Sequence, residues 1–187
     1  AGERKGQGGI IERAAFVDSV RNAMGESRVL LLHAGDMGQG SSYFTQFKGE
    51  LEIDMVNAMR YDCVTLGNHE FDNGIEDLGK RLKRIECAVV CANLDLSTFE
   101  AGKYVTPYTI IERGGLKIGI IGFAPRLKGS VATVTADRIP QLDEVEVANR
   151  YAAELKAQKC GLVIALSHMG YDVDMEFVPQ TRNIDII

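Results

Sequence analysis

Apolar residues recur at two distinct periods along this chain. From Ile10 to Met24 they include positions 10, 11, 14, 17, 20, 23 and 24, the stripe of an amphipathic helix, and Gly25 suits its C-terminal cap. Helical spacing returns over Leu51 to Met59. Ile75 to Ile85 predicts a helix with a basic outer face, and Gln141 to Gln158 an acidic amphipathic one. Between these lie short apolar runs, partly β-branched, which predict strands: Arg28 to His33, Asp62 to Leu66, Ala88 to Ala92 and Leu162 to Leu166. Ile184 to Ile187 reads as the start of another. Tyr108 to Arg113 and Leu116 to Phe123, separated by Gly114-Gly115, predict a β-hairpin. Residues 1–9, with four glycines, read as a loop. Repeated β-α units with an antiparallel insertion predict an α/β layered sandwich.

Composition narrows the function classes. The chain has 187 residues, 45% of them hydrophobic and 25% charged, which is ordinary for one globular domain. A net charge of −5 argues against a nucleic-acid polymer as partner. Small anionic ligands remain open, because bound cations can reverse the local field of a site. No apolar run approaches the ~18 residues that a membrane span needs. The four cysteines, Cys63, Cys87, Cys91 and Cys160, form no CxxC pair and sit in or beside apolar runs, so buried free thiols are expected. No signal peptide is visible. The chain opens without Met and stops inside an apolar run, so truncation at both ends is expected.

Candidate chemistry gathers where strands end. His33-Ala34-Gly35-Asp36 follows one apolar run, Gly67-Asn68-His69-Glu70-Phe71-Asp72-Asn73-Gly74 a second, and Ser167-His168-Met169-Gly170 a third. In open α/β sheets, ligands bind past the carboxyl ends of strands. Asp36 alone could be a turn aspartate, and His168 alone a core or surface histidine. Three strands discharging Asp, Asn and His onto one edge make a metal site instead. Asp36, Asn68 and His168 form a mixed O,N donor set suited to Zn²⁺, Mn²⁺ or Fe. On an extended segment His69 would point away from Asn68, toward substrate. Asp72 could fix its tautomer and favour its protonated form, giving a His–Asp dyad competent as general acid or charge stabiliser. Glu70 reads as an outer or surface carboxylate, and His33 as a packing group or an outer contact of the site.

The motifs Ala34-Gly35-Asp36 with Gln39-Gly40, Thr65 to Asp72 with Gly74, and Ser167-His168-Met169-Gly170 resemble those of the calcineurin-like metallophosphoesterases, specifically the 5′-nucleotidase branch. The resemblance runs from about Gly9 to Ile187. It implies a four-layer αββα sandwich with two divalent metal ions. Asp36 would bridge them, Asn68 and His168 would bind the second, and His69 with Asp72 would form the catalytic dyad. Substrates would be 5′-nucleotides or related phosphate esters, attacked by a metal-activated water. Periplasm or cell surface would be the location. Two family motifs are not met: an Asp-x-His ahead of Asp36, and a Gly-His-x-His after the strand of Ile184 to Ile187. The resemblance thus implies a catalytic domain trimmed at both ends, lacking the C-terminal nucleotide-binding domain and holding one metal ion or none.

The rival readings are a cyclic-nucleotide phosphodiesterase or thiosulfohydrolase-type relative on the same scaffold, and a non-catalytic binding module. A dinucleotide-binding fold is weaker. Gly35 to Gly40 does not give GxGxxG, and no helix start is read immediately after Gly40.

Overall fold

The computed structural model describes residues 8–39 and 42–187. Residues 1–7 of the expected N-terminal loop, and Gly40 of the glycine-rich loop, lie outside the described residues. The elements run α1 (Ile10–Met24), β1 (Leu32–His33), α2 (Ser42–Phe47), α3 (Glu50–Ala58), β2 (Cys63–Thr65), α4 (Ile75–Leu82), β3 (Ala88–Val90), β4 (Tyr108–Arg113), β5 (Leu116–Phe123), α5 (Thr133–Ala136), α6 (Glu144–Ala157), β6 (Leu162–Ser167) and α7 (Tyr171–Phe177). Strands β1, β2 and β3 form one parallel sheet in that order. In the second sheet β5 pairs antiparallel with β4 and parallel with β6.

The period-two alternation of strand side chains sorts them into three apolar layers. Cys63 and Val90 of the first sheet pack with Ile118, Ile120, Ile164 and Leu166 of the second. Their neighbours Val64 and Val89 turn outward, onto Val17, Val56, Leu78 and Leu82 of α1, α3 and α4. On the far side Ile121, Phe123, Val163 and Ala165 meet Val147, Ala148, Ala152 and Leu155 of α6, and Phe177 of α7. The order is helices, sheet, sheet, helices, which is the four-layer αββα sandwich expected. Thr106 seals one margin between the sheets: its N–H donates to the Val89 carbonyl, and its own carbonyl accepts from Cys91 N–H.

Several boundaries differ from the sequence reading for local reasons. Arg28 to His33 pairs as a strand only at Leu32–His33. Upstream, the Leu31 N–H donates to the Asp62 carboxylate at 2.8 Å and Arg113 Nε donates to the Val29 carbonyl. Side chains there take the Leu31 N–H and the Val29 carbonyl, while the Leu31 carbonyl still accepts from the Asp62 backbone N–H. The α6 helix begins at Glu144 rather than Gln141, because Asp143 caps it by accepting from the Glu146 N–H. Gln141 is held outside, its amide bonded to Leu127 N–H and the Pro125 carbonyl. A short helix, α2, does start two residues past Gly40. The α4 face is not uniformly basic on the outside, since Arg81 is buried. Ile186 makes a parallel bridge to Ile164, the trace of the strand expected at Ile184 to Ile187.

All four cysteines are unpaired, and Cys63, Cys91 and Cys160 are buried. Burial pushes the Cys63 thiol well up, the Cys91 thiol to about 12 and the Cys87 thiol to about 11. Thiolate is the reactive form. Alkylation of the native chain at neutral pH is therefore expected to be slow, with four thiols reacting once denaturant is added. Mass spectrometry after iodoacetamide treatment checks this, and rapid labelling of native Cys63 or Cys91 would contradict it.

Candidate metal centre

Two loops of the first sheet and one of the second close on each other almost without side chains between them. Gly35 has φ 96, and a Cβ there would lie 2.5 Å from the Gly67 nitrogen and 2.9 Å from His168 Nδ1. A Cβ on Gly67 would lie 2.2 Å from Asp36 Oδ1. Only glycine permits this approach. The strand ends after β1, β2 and β6 are thereby brought together, as the sequence pattern predicts.

Asp36 sits at the centre with φ 54, an uncommon backbone for a residue with a side chain. Its Oδ1 accepts from the His69 backbone N–H at 3.0 Å, and its Oδ2 lies 3.2 Å from His168 Nε2. His168 Nδ1 lies 2.6 Å from the Ala34 carbonyl oxygen. A carbonyl only accepts, so Nδ1 carries the proton. In the neutral ring Nε2 then presents a lone pair to a carboxylate oxygen. Two acceptors face each other, and either a proton or a cation must lie between them. Nδ1–H held by a carbonyl is also how ligating histidines are oriented toward metals. The donor chemistry of Asp36 and His168 thus fits a divalent ion.

Asn68 lies between Gly67 and His69, whose N–H groups are bound by Glu70 and Asp36. It is not on an extended segment. Its φ and ψ of −76 and −33 begin a 3-10 turn over His69–Phe71, so the alternation argument separating Asn68 from His69 does not apply. Among the described residues no group of three or more His, Cys, Asp and Glu is placed to hold a metal ion. Asp36 and His168 supply two such groups, and Asn68 would add an amide oxygen.

His69 Nδ1 is 2.9 Å from Asp72 Oδ2, the pairing expected. Nδ1–H donates to the carboxylate, leaving Nε2 for a ligand. Burial by itself would lower the imidazole pKa. The hydrogen bond and charge of Asp72, with the charges of Asp36 and Glu70, outweigh it, and the net direction is upward. His33 is occupied otherwise: its Nδ1 accepts from the Gly35 N–H at 3.2 Å and its ring tilts against Tyr61. Burial, then the charges of Arg13 and His168, lower its pKa, which favours a neutral packing group.

Glu70 is the outer carboxylate of the site, the first of the two roles its sequence allowed, though its partners could not be read. It is 1% exposed, not at the surface, and its carboxylate accepts from the backbone N–H groups of Asp36, Met37 and Gly67. Arg81, also buried, donates from Nη2 to the Glu70 carbonyl and from Nε to Asp77. Neither role has a sequence signal beyond adjacency to His69. A cleft of about 570 Å³ opens beside the centre, lined in part by Asn93, Ala124, Arg126 and Met169. Met169 follows His168, whose N–H donates to the Phe123 carbonyl next to Ala124.

Residues 7–185 match the calcineurin-like phosphoesterase family. Over 185 residues the chain is 33% identical to the snake venom 5′-nucleotidase of Naja atra, covering 96% of this chain and 34% of that one. The 5′-nucleotidase precursor of Thermus thermophilus superposes with a TM-score of 0.87 at 32% identity, over 96% of this chain and 35% of that one. The NAD nucleotidase of Haemophilus influenzae gives 0.84 at 34% identity, over 96% and 32%. This chain therefore spans about a third of the length of the curated relatives it matches. With that match running almost end to end over the αββα sandwich, the chain belongs to the calcineurin-like phosphoesterase family, among relatives that include 5′-nucleotidases.

Proposed function

We propose that this chain forms the metal-dependent catalytic domain of a hydrolase acting on phosphate monoesters, with 5′-nucleotides as substrates. The observation that carries the reading is the facing pair of acceptors, Asp36 Oδ2 and His168 Nε2 at 3.2 Å, beside the His69–Asp72 dyad. Asp36, Asn68 and His168 would hold one divalent ion, Zn²⁺ or Mn²⁺; a second ion, sharing Asp36, belongs to the proposed parent. Bound divalent ions supply Lewis-acid polarisation of the phosphoryl oxygens and lower the pKa of water. Asp72 keeps the His69 ring in one tautomer with Nε2 toward the open side, where a proton can be given to a leaving oxygen or charge stabilised on phosphorus. The relatives named as 5′-nucleotidases support 5′-nucleotides as the substrate class, and a periplasmic or cell-surface location is part of the same proposal. Their length supports a longer parent, in which a separate nucleotide-binding domain is proposed.

The test is release of inorganic phosphate from AMP by the Mn²⁺-loaded protein, with a 2′,3′-cyclic nucleotide in parallel. Preference for the cyclic substrate would move the reading to a phosphodiesterase, and no release from either by metal-loaded protein would overturn it. Asn68→Ala is expected to weaken Mn²⁺ binding by at least about tenfold, the scale that losing even an outer partner of a metal site produces. Titration calorimetry measures it. Unchanged affinity removes Asn68 from the ligand set.

A further inference from the structure

We propose that Glu70 is the positioning residue that sets the shape of the metal centre, tying the Asp36 loop to the Asn68 loop through its carboxylate. The proposal rests on the reading of Asp36, Asn68 and His168 as metal ligands. Neither loop is held by a strand ladder at this point. β1 ends at His33 and β2 at Thr65, so Asp36, Met37 and Gly67 carry backbone N–H groups beyond any sheet partner. Glu70 collects all three. Its Oε2 accepts from Asp36 at 2.8 Å and Gly67 at 2.5 Å, and its Oε1 accepts from Met37 at 2.7 Å.

The chemistry of this arrangement is selective. Three converging donors need a group with two acceptor oxygens, which among side chains means a carboxyl group. A buried polar group that packing alone does not need is costly unless its bonds are made, and here its partners are the two loops of the site. The bond to Asp36 holds a backbone that the left-handed φ of 54 disfavours. The bond to Gly67 fixes the residue immediately before Asn68. Glu70 also follows His69, so one side chain references the bridging carboxylate, the amide and the dyad to one point. That point is braced from behind: Arg81 of α4 binds the Glu70 carbonyl and is steadied by Asp77 at 2.8 Å. Orientation of ligands by such outer partners is worth about ten- to a hundredfold in metal affinity.

Mn²⁺ titration calorimetry on the intact protein tests this with Glu70→Gln, Glu70→Ala and Leu78→Ala. Leu78 is fully buried on the same α4 helix and, having no polar side-chain atom, bonds none of the three N–H groups, so its variant reports loss of packing. Gln can place its carbonyl where Oε2 lies but turns an NH₂ toward Met37. It is expected to bind Mn²⁺ about tenfold more weakly, and Ala about a hundredfold. Leu78→Ala is expected to lower Tm and keep its affinity. Hydrogen exchange supplies a readout without metal: the amides of Asp36, Met37 and Gly67 should exchange faster in Glu70→Gln than in the unaltered chain. If Ala fails to fold, Gln decides. Folded Gln with unaltered affinity, or affinity that falls equally in Leu78→Ala, overturns the proposal. An unaltered protein that binds no Mn²⁺ overturns instead the ligand reading on which it stands.

Discussion

His69→Ala is expected to slow phosphate release by about a hundredfold to ten-thousandfold, the usual worth of a positioned general acid or base. Bound metal should stay as it is. The imidazole is held from behind by Asp72 at 2.9 Å, so its tautomer and orientation are set before substrate arrives. Only its backbone N–H, not its ring, is bonded to Asp36, and that bond survives truncation to Ala. An interaction made only in the transition state lowers kcat and kcat/KM together. The kinetic signature is therefore a fall in kcat at nearly constant KM and constant metal content. A raised KM with kcat preserved, or loss of metal, would instead put His69 among the binding groups and return catalysis to another residue.

What could be read ahead of the structure depended on whether backbone or side chains hold each segment. The Tyr108–Arg113 and Leu116–Phe123 hairpin and the Ile10–Met24 helix were legible to the residue, because their hydrogen bonds are internal and follow period alone. The strand expected from Arg28 was not, since Arg28 closes a 3-10 turn and the Asp62 carboxylate and Arg113 guanidinium take the Leu31 N–H and Val29 carbonyl. Side chains distant in sequence carry no periodicity. The site divides the same way. A small residue, Gly35, Gly67 or Ser167, followed by Asp, Asn or His after each apolar run marks a strand end that must turn, so Asp36, Asn68 and His168 could be singled out together. Glu70 could be read only as an outer or a surface carboxylate, because a glutamate beside a histidine is ordinarily solvated. Its three partners are backbone groups on two loops more than thirty residues apart, a separation spanned only once the parallel sheet has formed. Arg81 was hidden by its neighbours Lys80, Lys83 and Arg84, which made one basic face of a helix that in fact turns a guanidinium inward.

Gly122→Val is expected to be the most damaging single substitution in the sheets. Facing sheets ordinarily pack about 10 Å apart with side chains between them. At Gly122 on β5 the second sheet touches the first directly: a Cβ there would lie 2.1 Å from the Val90 carbonyl oxygen, 2.4 Å from its carbon and 2.7 Å from Thr65 Oγ1. These are backbone atoms of β3 and a hydroxyl already bonded to that same carbonyl at 2.8 Å, so no flexible side chain can give way. The sheets must part, breaking the bond from Ala92 N–H to the Gly122 carbonyl and straining the Asn93 amide, which grips both the N–H and the carbonyl of Ala124. A loss of about 3 kcal/mol or more is expected, at the upper end for overpacked cores. The damage reaches the candidate metal centre, because His168 is hung from the Phe123 carbonyl one residue on. Gly119→Ala is the matched comparison on the same strand. Its Cβ would meet Leu155 side-chain atoms at 2.7 Å, and these can turn within the helix layer. Urea midpoints should therefore fall far more for Gly122→Val than for Gly119→Ala, with Mn²⁺ affinity falling only in the former. Equal midpoints would mean that the sheets can slide apart at β5 without cost, and that the closeness of Gly122 to Val90 is not what fixes the strand ends at the site.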